Sequence, residues 1–305
     1  MAHGVMFHHF HSEDHAPKPG SIDADMLRRM LAHLRERFSL LDAGLFLEKA
    51  NEGSLGPRDV VLTFDDALKS QVDVALPVLE EEAISGIFNV YSSVFSGQPD
   101  RLEIYADFRA IAFKDFPSFW AEFVAVSAEL FPELTLRLEH EYPSGYLSDF
   151  PFYSESERRF RFLRDSLLRP DAYRVVMDMM LDRSAYDLDS RIGSLWMDRA
   201  DLVGLVRSGH VVGLHSHSHP TRMSELSRED QVEEYTLNFN WINEELGVTP
   251  FVVAHPCGDY SDETLGILGD LGIRVGFRSS LTEGPYGSLL EIPRKDHAVL
   301  MKELS

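Results

Sequence analysis

Two clusters of side chains stand out for the chemistry they could share. Asp65 and Asp66 are adjacent carboxylates, preceded by Thr63-Phe64 and followed by Ala67. As an arbitrary pair they would read as a solvated turn. In an apolar setting two ionised carboxylates are costly unless a cation or hydrogen bonds compensate them. Neighbours in an extended or turning segment point different ways, so one carboxylate can hold a metal while the other addresses a water. The second cluster is His215-Ser216-His217-Ser218-His219-Pro220. A helical His-x-x-x-His metal motif of the zincin kind needs Glu after the first His, but Ser216 stands there, and Pro220 discourages a helix through the pair. The segment reads as a loop in which His215 and His219 converge across a turn. A satisfied structural cluster or a chance run of histidines is the competing reading.

Asp66 with His215 and His219 supplies three N/O ligands and leaves at least one position open, the pattern of a catalytic zinc-type site. Asp65 beside it is the natural general base for a water held there. Zinc leads the candidate metals, with cobalt, nickel, iron and manganese as alternatives for such ligation. His217 is given no ligand role. Cys257, the sole cysteine, lies near His255 and is the one candidate thiol nucleophile. Cys-His catalysis would leave both polar clusters without a task.

Elements must bring these clusters together. Short apolar runs pass abruptly into polar, chemically capable residues five times. Val5-Met6-Phe7 leads to His8, His9 and His11; Val60 to Phe64 leads to Asp65-Asp66. His210 to Leu214 leads to His215, Phe251 to Ala254 leads to His255-Pro256-Cys257-Gly258, and Leu289 to Pro293 leads to Arg294-Lys295-Asp296-His297. Such runs read as buried strands of a parallel sheet. Helical spacing fills the gaps: 23–38, Asp73 to Glu82 before a strand-like Ile84 to Tyr91, Asp198 to Val206 ending at Gly209, and Asp262 to Leu271 ending at Gly272. Strands alternating with helices predict an α/β fold whose strand ends share one cavity.

The stretch from about 97 to 195 differs. Trp120, Phe123, Val124 and Leu130 fall on one face of a helix over Pro117 to Phe131. Phe160, Leu163 and Leu167 repeat the spacing, as do Tyr173, Val176, Met177 and Met180. We expect a mainly helical insertion in a single barrel domain covering 1–305, its aromatic stripes packing as core.

The 305 residues carry 29 basic and 50 acidic side chains, a formal charge of −21. That balance argues against nucleic acid or an anionic membrane as partner. It also disfavours a strongly anionic substrate unless groups such as Arg294 and Lys295 offset the field. One cysteine excludes an internal disulfide framework and fits a reducing compartment. No signal-peptide pattern opens the chain and no apolar run reaches the ~18 residues of a membrane span. A cytoplasmic protein is the resulting expectation.

Thr63-Phe64-Asp65-Asp66-Ala67 and His215-Ser216-His217-Ser218-His219-Pro220 resemble the first two motifs of the polysaccharide deacetylases, the NodB-homology or carbohydrate esterase family 4 group. His255-Pro256-Cys257-Gly258-Asp259-Tyr260 is similar to the third motif, and Met6-Phe7-His8 to the opening of the first strand in many members. The resemblance runs over roughly 5–95 and 196–300. It implies a distorted (β/α)7 barrel and metal-dependent removal of an acetyl group from an acetamido sugar. It further implies Asp65 as catalytic base, Asp66, His215 and His219 as ligands, and the Cys257 N–H in the oxyanion hole. Many members hold the base with an arginine where this chain has Ala254, so Arg294 is the candidate to supply that cation from another strand. His297, next to Asp296, is the positional candidate for the general acid, with His8, His9 and His11 as alternatives. His8, His9, His255, Pro256 and Gly258 are expected to contact substrate.

The expected substrate is a small or carrier-linked N-acetylated sugar. Hydrolysis of another amide, imide or O-acetyl ester uses the same chemistry. A silent barrel kept as a binding protein is the alternative of another class, and retention of base and ligands together argues against it.

Overall fold

The structure is a computed structural model and describes residues 1–18, 20–148, 153–281 and 287–304. The chain divides into two compact units, Met1–Asp100 with Ser190–Ser305, and Arg101–Asp189.

The first unit is built on β1 (His3–Phe7), β2 (Ser39–Leu40), β3 (Asp59–Asp65), β4 (Ile87–Val90), β5 (Val211–Leu214), β6 (Val252–Ala254), β7 (Val275–Phe277) and β8 (Arg294–Asp296). Seven strands run in the order β7-β6-β5-β4-β3-β1-β8, with β2 paired to β3. Every pairing is parallel. A parallel bridge from Phe277 to Ile292, just before β8, nearly closes the sheet into a barrel. This is the distorted (β/α)7 architecture expected of the NodB-type fold, and every strand delivers its C-terminal end to the same rim.

The α-helices among the described residues are α1 (Ala24–Arg37), α2 (Ala43–Asn51), α3 (Leu76–Glu81), α4 (Arg101–Ala112), α5 (Phe116–Leu130), α6 (Pro132–Glu141), α7 (Glu155–Phe162), α8 (Arg169–Arg183), α9 (Leu188–Leu195), α10 (Arg199–Arg207), α11 (Arg228–Leu246), α12 (Asp262–Asp270) and α13 (His297–Leu304). None among the described residues is long and apolar enough to cross a membrane.

Local chemistry explains the elements. β1 and β3 are buried along their whole length, which is why their sequences are continuous rather than alternating. In α1, Leu27, Met30, Leu31 and Leu34 face the core, and Asp23 caps the helix by accepting from Met26 N. Asp198 and Asp201 form a reciprocal capping box at α10, and Ser261 and Thr264 do so at α12. Both helices stop where expected: Gly209 and Gly272 adopt φ of +84°, the left-handed conformation that costs glycine least.

Two expectations shift. The run Leu289 to Pro293 is not a strand; Leu289–Glu291 is a 3-10 turn, and the strand is the polar Arg294–Asp296 that follows. An arginine inside a strand escapes hydropathy patterning, because its burial depends on a partner elsewhere in the fold. The helix expected from Asp73 begins instead as a π-turn, Gln71–Ala75, before α3.

In the second unit, a packed aromatic group joins α5, α7 and α8, with Phe123 and Phe160 ring centroids 5.0 Å apart edge to face. The buried face of α5 is Phe119, Phe123 and Val126, while Trp120, Val124 and Leu130 are only half-buried. The stripe is therefore rotated from the one the spacing suggested.

Candidate active site

β3 ends at Asp65, and the chain turns at once through two left-handed residues, Asp66 at φ +78° and Ala67 at φ +54°. Aspartate tolerates that region; alanine there stores strain of the kind that collects at functional sites. Asp66 N donates to the Asn89 carbonyl at 3.2 Å. The turn gives the two carboxylates different neighbours.

Asp65 is fully enclosed. Arg294 Nη1 lies 2.8 Å from its Oδ1 and 2.7 Å from its Oδ2, and Asn89 Nδ2 donates to Oδ1 at 2.9 Å. Arg294 also donates to Thr63 Oγ1 and to the Arg278 carbonyl. Burial works against ionising Asp65. The Arg294 guanidinium, aided by His215 and His8, overcomes that cost and holds the carboxyl below its usual range. Two glycines make room for this arrangement. A Cβ on Gly4 would come within 2.9 Å of Arg294 Cγ, and one on Gly213 within 2.7 Å of Asn89 Oδ1.

Asp66 meets the histidine loop. Its Oδ1 lies 3.3 Å from His215 Nε2 and 3.5 Å from His219 Nε2, and the ligand atoms of all three residues fall within 4.8 Å of one another. That Oδ1 is buried with no hydrogen-bond partner. A bare carboxylate oxygen facing two imidazole nitrogens is what a bound cation would satisfy, so the residues present fit a divalent metal. Burial favours protonating Asp66, but the adjacent His215, His219 and His8 rings hold it well below the usual carboxylate range.

The loop is held from outside. His215 Nδ1 hydrogen-bonds the Ala254 carbonyl at 2.7 Å, which leaves Nε2 as the coordinating atom. His215 N donates to Asn238 Oδ1 at 2.9 Å. Glu234, on α11, accepts from His217 N, Ser218 N and Ser218 Oγ. His217 contacts Ser92 Oγ at 2.9 Å and takes no part in the triad. Burial pushes His219 down to about 4, keeping its lone pair free. His215 is buried too, but Asp65 and Asp66 push it up.

Several expected site residues divide by position. Arg294 joins the cluster. His8 Nε2 stands 3.9 Å from Asp65 Oδ2 and 4.0 Å from Asp66 Oδ2, and its side chain is 28% exposed, so it faces both the carboxylates and solvent. His9 lies beside it, ring centroids 6.4 Å apart. Cys257 is exposed at φ +53°, with Asp66 and Asp100 among its charged neighbours. Although the residue as a whole is exposed, loss of water around its sulfur and those acids push the thiol up to about 11, the reverse of what a nucleophilic thiolate needs.

His297 is placed elsewhere. Its Nδ1 contacts the Met6 carbonyl at 3.2 Å, its Nε2 the Gly20 carbonyl at 2.7 Å, and the ring stacks on Phe7. With both nitrogens facing backbone acceptors, it has no atom free to serve a leaving group. His255 also departs from the substrate contact expected of it. It is wholly buried, stacked on Tyr260 at 4.2 Å, with Nε2 on the Leu290 carbonyl. Pro256 is buried, and Gly258 (φ +68°) is required where a Cβ would strike Ser279 Oγ at 2.1 Å. Motif three thus shapes the rim more than it lines it. Asn89 escaped notice in the sequence, although it sits at the end of the strand-like Ile84 to Tyr91, where the strand-end pattern would have found it.

The rim of the parallel barrel joins a charge-locked carboxylate to an Asp-His-His triad whose donor atoms fit one divalent metal. Residues 191–276 match the family model for polysaccharide deacetylases, a span that holds the histidine loop and His255 to Gly258. The chain is 31% identical over 94 residues to chitin deacetylase 1 of Cryptococcus neoformans var. grubii, covering 30% of this chain and 20% of that one. The match therefore spans about a fifth of the curated relative. Among solved structures, the Streptococcus pyogenes deacetylase PplD, in complex with acetate, superposes with a TM-score of 0.55 at 15% identity, covering 97% of this chain and 91% of that one. IcaB from Ammonifex degensii gives 0.55 at 15% identity, covering 96% and 90%. The chain carries the fold of the polysaccharide deacetylases over nearly its whole length and their sequence pattern at residues 191–276.

Proposed function

We propose that this protein is a metal-dependent hydrolase that removes the N-acetyl group from an acetamido sugar. The observation that carries the reading is the unpartnered Asp66 Oδ1 facing His215 and His219, next to an Asp65 held ionised by Arg294. Asp66, His215 and His219 would hold the metal, zinc first among the candidates. When bound there, a divalent metal polarises the acetamide carbonyl and makes water more acidic.

This chain's residues do the rest. Asp65 takes the proton of the attacking water, and Arg294 and Asn89 keep its carboxylate charged and oriented. The Cys257 N–H donates to the oxyanion that develops on the carbonyl oxygen, a task that does not depend on the thiol. The departing nitrogen must be protonated, because an amide anion does not leave at neutral pH. His8 is the donor, since its Nε2 lies across from both carboxylates and its ring reaches solvent. Burial lowers its basicity, opposed by Asp66 and Asp65, so its protonated form gives up a proton readily. In this reading the acid is His8, just after β1, rather than His297.

The deciding experiment is acetate release from a panel of soluble N-acetyl sugars, nucleotide sugars and N-acetylated oligosaccharides by the zinc-loaded protein, with a chelator control. Release from at least one sugar, lost on chelation and restored by metal, is expected. Release from none of them with metal bound, or release indifferent to the chelator, overturns the reading.

A further inference from the structure

We propose that Gln71 is a positioning residue that sets the spacing between His8 and Asp65, the acid and base of the reaction proposed above, on which this inference rests. β1 and β3 pair in parallel register as far as Phe7 and Phe64. Beyond that point the ladder ends, and His8 and Asp65 are the first residues past the last pair. Their carbonyls are joined by one side chain: Gln71 Nε2 donates to Asp65 O at 2.6 Å and to His8 O at 3.0 Å. Both N–H bonds of one planar amide are thereby spent on two strands. Since both partners are acceptors, the amide nitrogen must face them, which fixes its orientation.

Gln71 pays nothing back by packing alone. It is wholly buried and its Oε1 has no partner. An orphaned buried acceptor loses its water without replacement, a penalty that a methionine of similar length would avoid. The amide is thus kept for the two bonds it makes. Its surroundings agree. Gln71 opens the π-turn Gln71–Ala75, an irregularity common at functional sites. Ser70 Oγ, one residue earlier, accepts from Phe10 N at 3.3 Å, a second tie to the segment after β1. The backbone of His8 is therefore pinned, while its ring is held by no hydrogen bond to the carboxylates, at 3.9 and 4.0 Å. Control of His8 comes through its carbonyl, and the residue exerting it is Gln71.

The test is Gln71→Met in the zinc-loaded full chain, assayed on an acetamido sugar and on 4-nitrophenyl acetate, whose leaving group departs without protonation. The amide kcat is expected to fall roughly 10–100-fold, as for a misplacement of about 1 Å, with KM and metal content held and the ester rate little changed. Combined with His8→Ala, Gln71→Met should cost no further amide activity. Equal losses on both substrates, or fully additive losses in the double variant, overturn the inference. Hydrogen exchange decides independently of turnover: faster exchange at His9 and Phe10, with residues 215–219 unchanged, is expected, and unaltered exchange at His9 and Phe10 overturns it. A wild-type protein silent on every acetylated substrate removes the catalytic reading, and the exchange result then still tells whether Gln71 sets the segment.

Discussion

Arg294 Nη1 touches both oxygens of Asp65, at 2.7 and 2.8 Å, with each side chain 1% exposed. A pair this dry is costly to break one-sidedly, because the survivor becomes an uncompensated buried charge. Arg294→Met is expected to lower the unfolding free energy of the chelated protein by about 3–5 kcal/mol. Adding Asp65→Asn removes the stranded charge and should recover a large part of that loss. Urea unfolding of the two single variants and the double completes the cycle; simple additivity would show that the two side chains do not depend on each other.

The two aspartates should separate cleanly by experiment. Asp65→Asn keeps the triad and is expected to bind metal at wild-type stoichiometry while losing about 10²–10⁴ in turnover, the scale of a general base. His219→Ala removes a ligand and is expected to lose the metal itself. Metal analysis beside acetate release reads both outcomes. Loss of metal from Asp65→Asn would instead make Asp65 a ligand.

Buried imidazoles away from the triad predict acid sensitivity. Burial lowers His3 and His210, and lowers His255 to about 4, below the ordinary 6.5. Between those values the unfolded chain holds protons that the folded one excludes, so stability falls as pH drops from 6.5 toward about 4. His255→Gln can still donate to the Leu290 carbonyl but cannot titrate. Its unfolding free energy, followed by urea titration across that window, should depend on pH less steeply, by up to about one proton. An unchanged slope would assign the sensitivity to other groups.

How much of this was legible beforehand follows from where each signal lies. Asp65-Asp66 and the His215 to His219 loop are local patterns, and their convergence follows from parallel strands ending on one rim. The helix limits at Gly209 and Gly272 are equally local. β8 was hidden because Arg294 is buried only by virtue of Asp65, a partner in another strand. His297 misled for the complementary reason: a histidine after a strand end looks catalytic until the Met6 and Gly20 carbonyls are seen to occupy both nitrogens. Gln71 had no signal at all, because a lone glutamine matters only once two strand ends lie within reach of its amide. Pairwise geometry, unlike periodicity, has no imprint in a single sequence.

The cation for Asp65 comes from the last strand of the barrel, threaded past Gly4 on the first. While the chain is being synthesised, the acidic pair, the histidine loop and all strands from β1 to β7 emerge before Arg294 does. A chain lacking β8 has every side chain of the proposed metal site, yet its Asp65 lacks the guanidinium that keeps it ionised. On the proposed reading, the base therefore gains its counter-charge only when the final strand is in place.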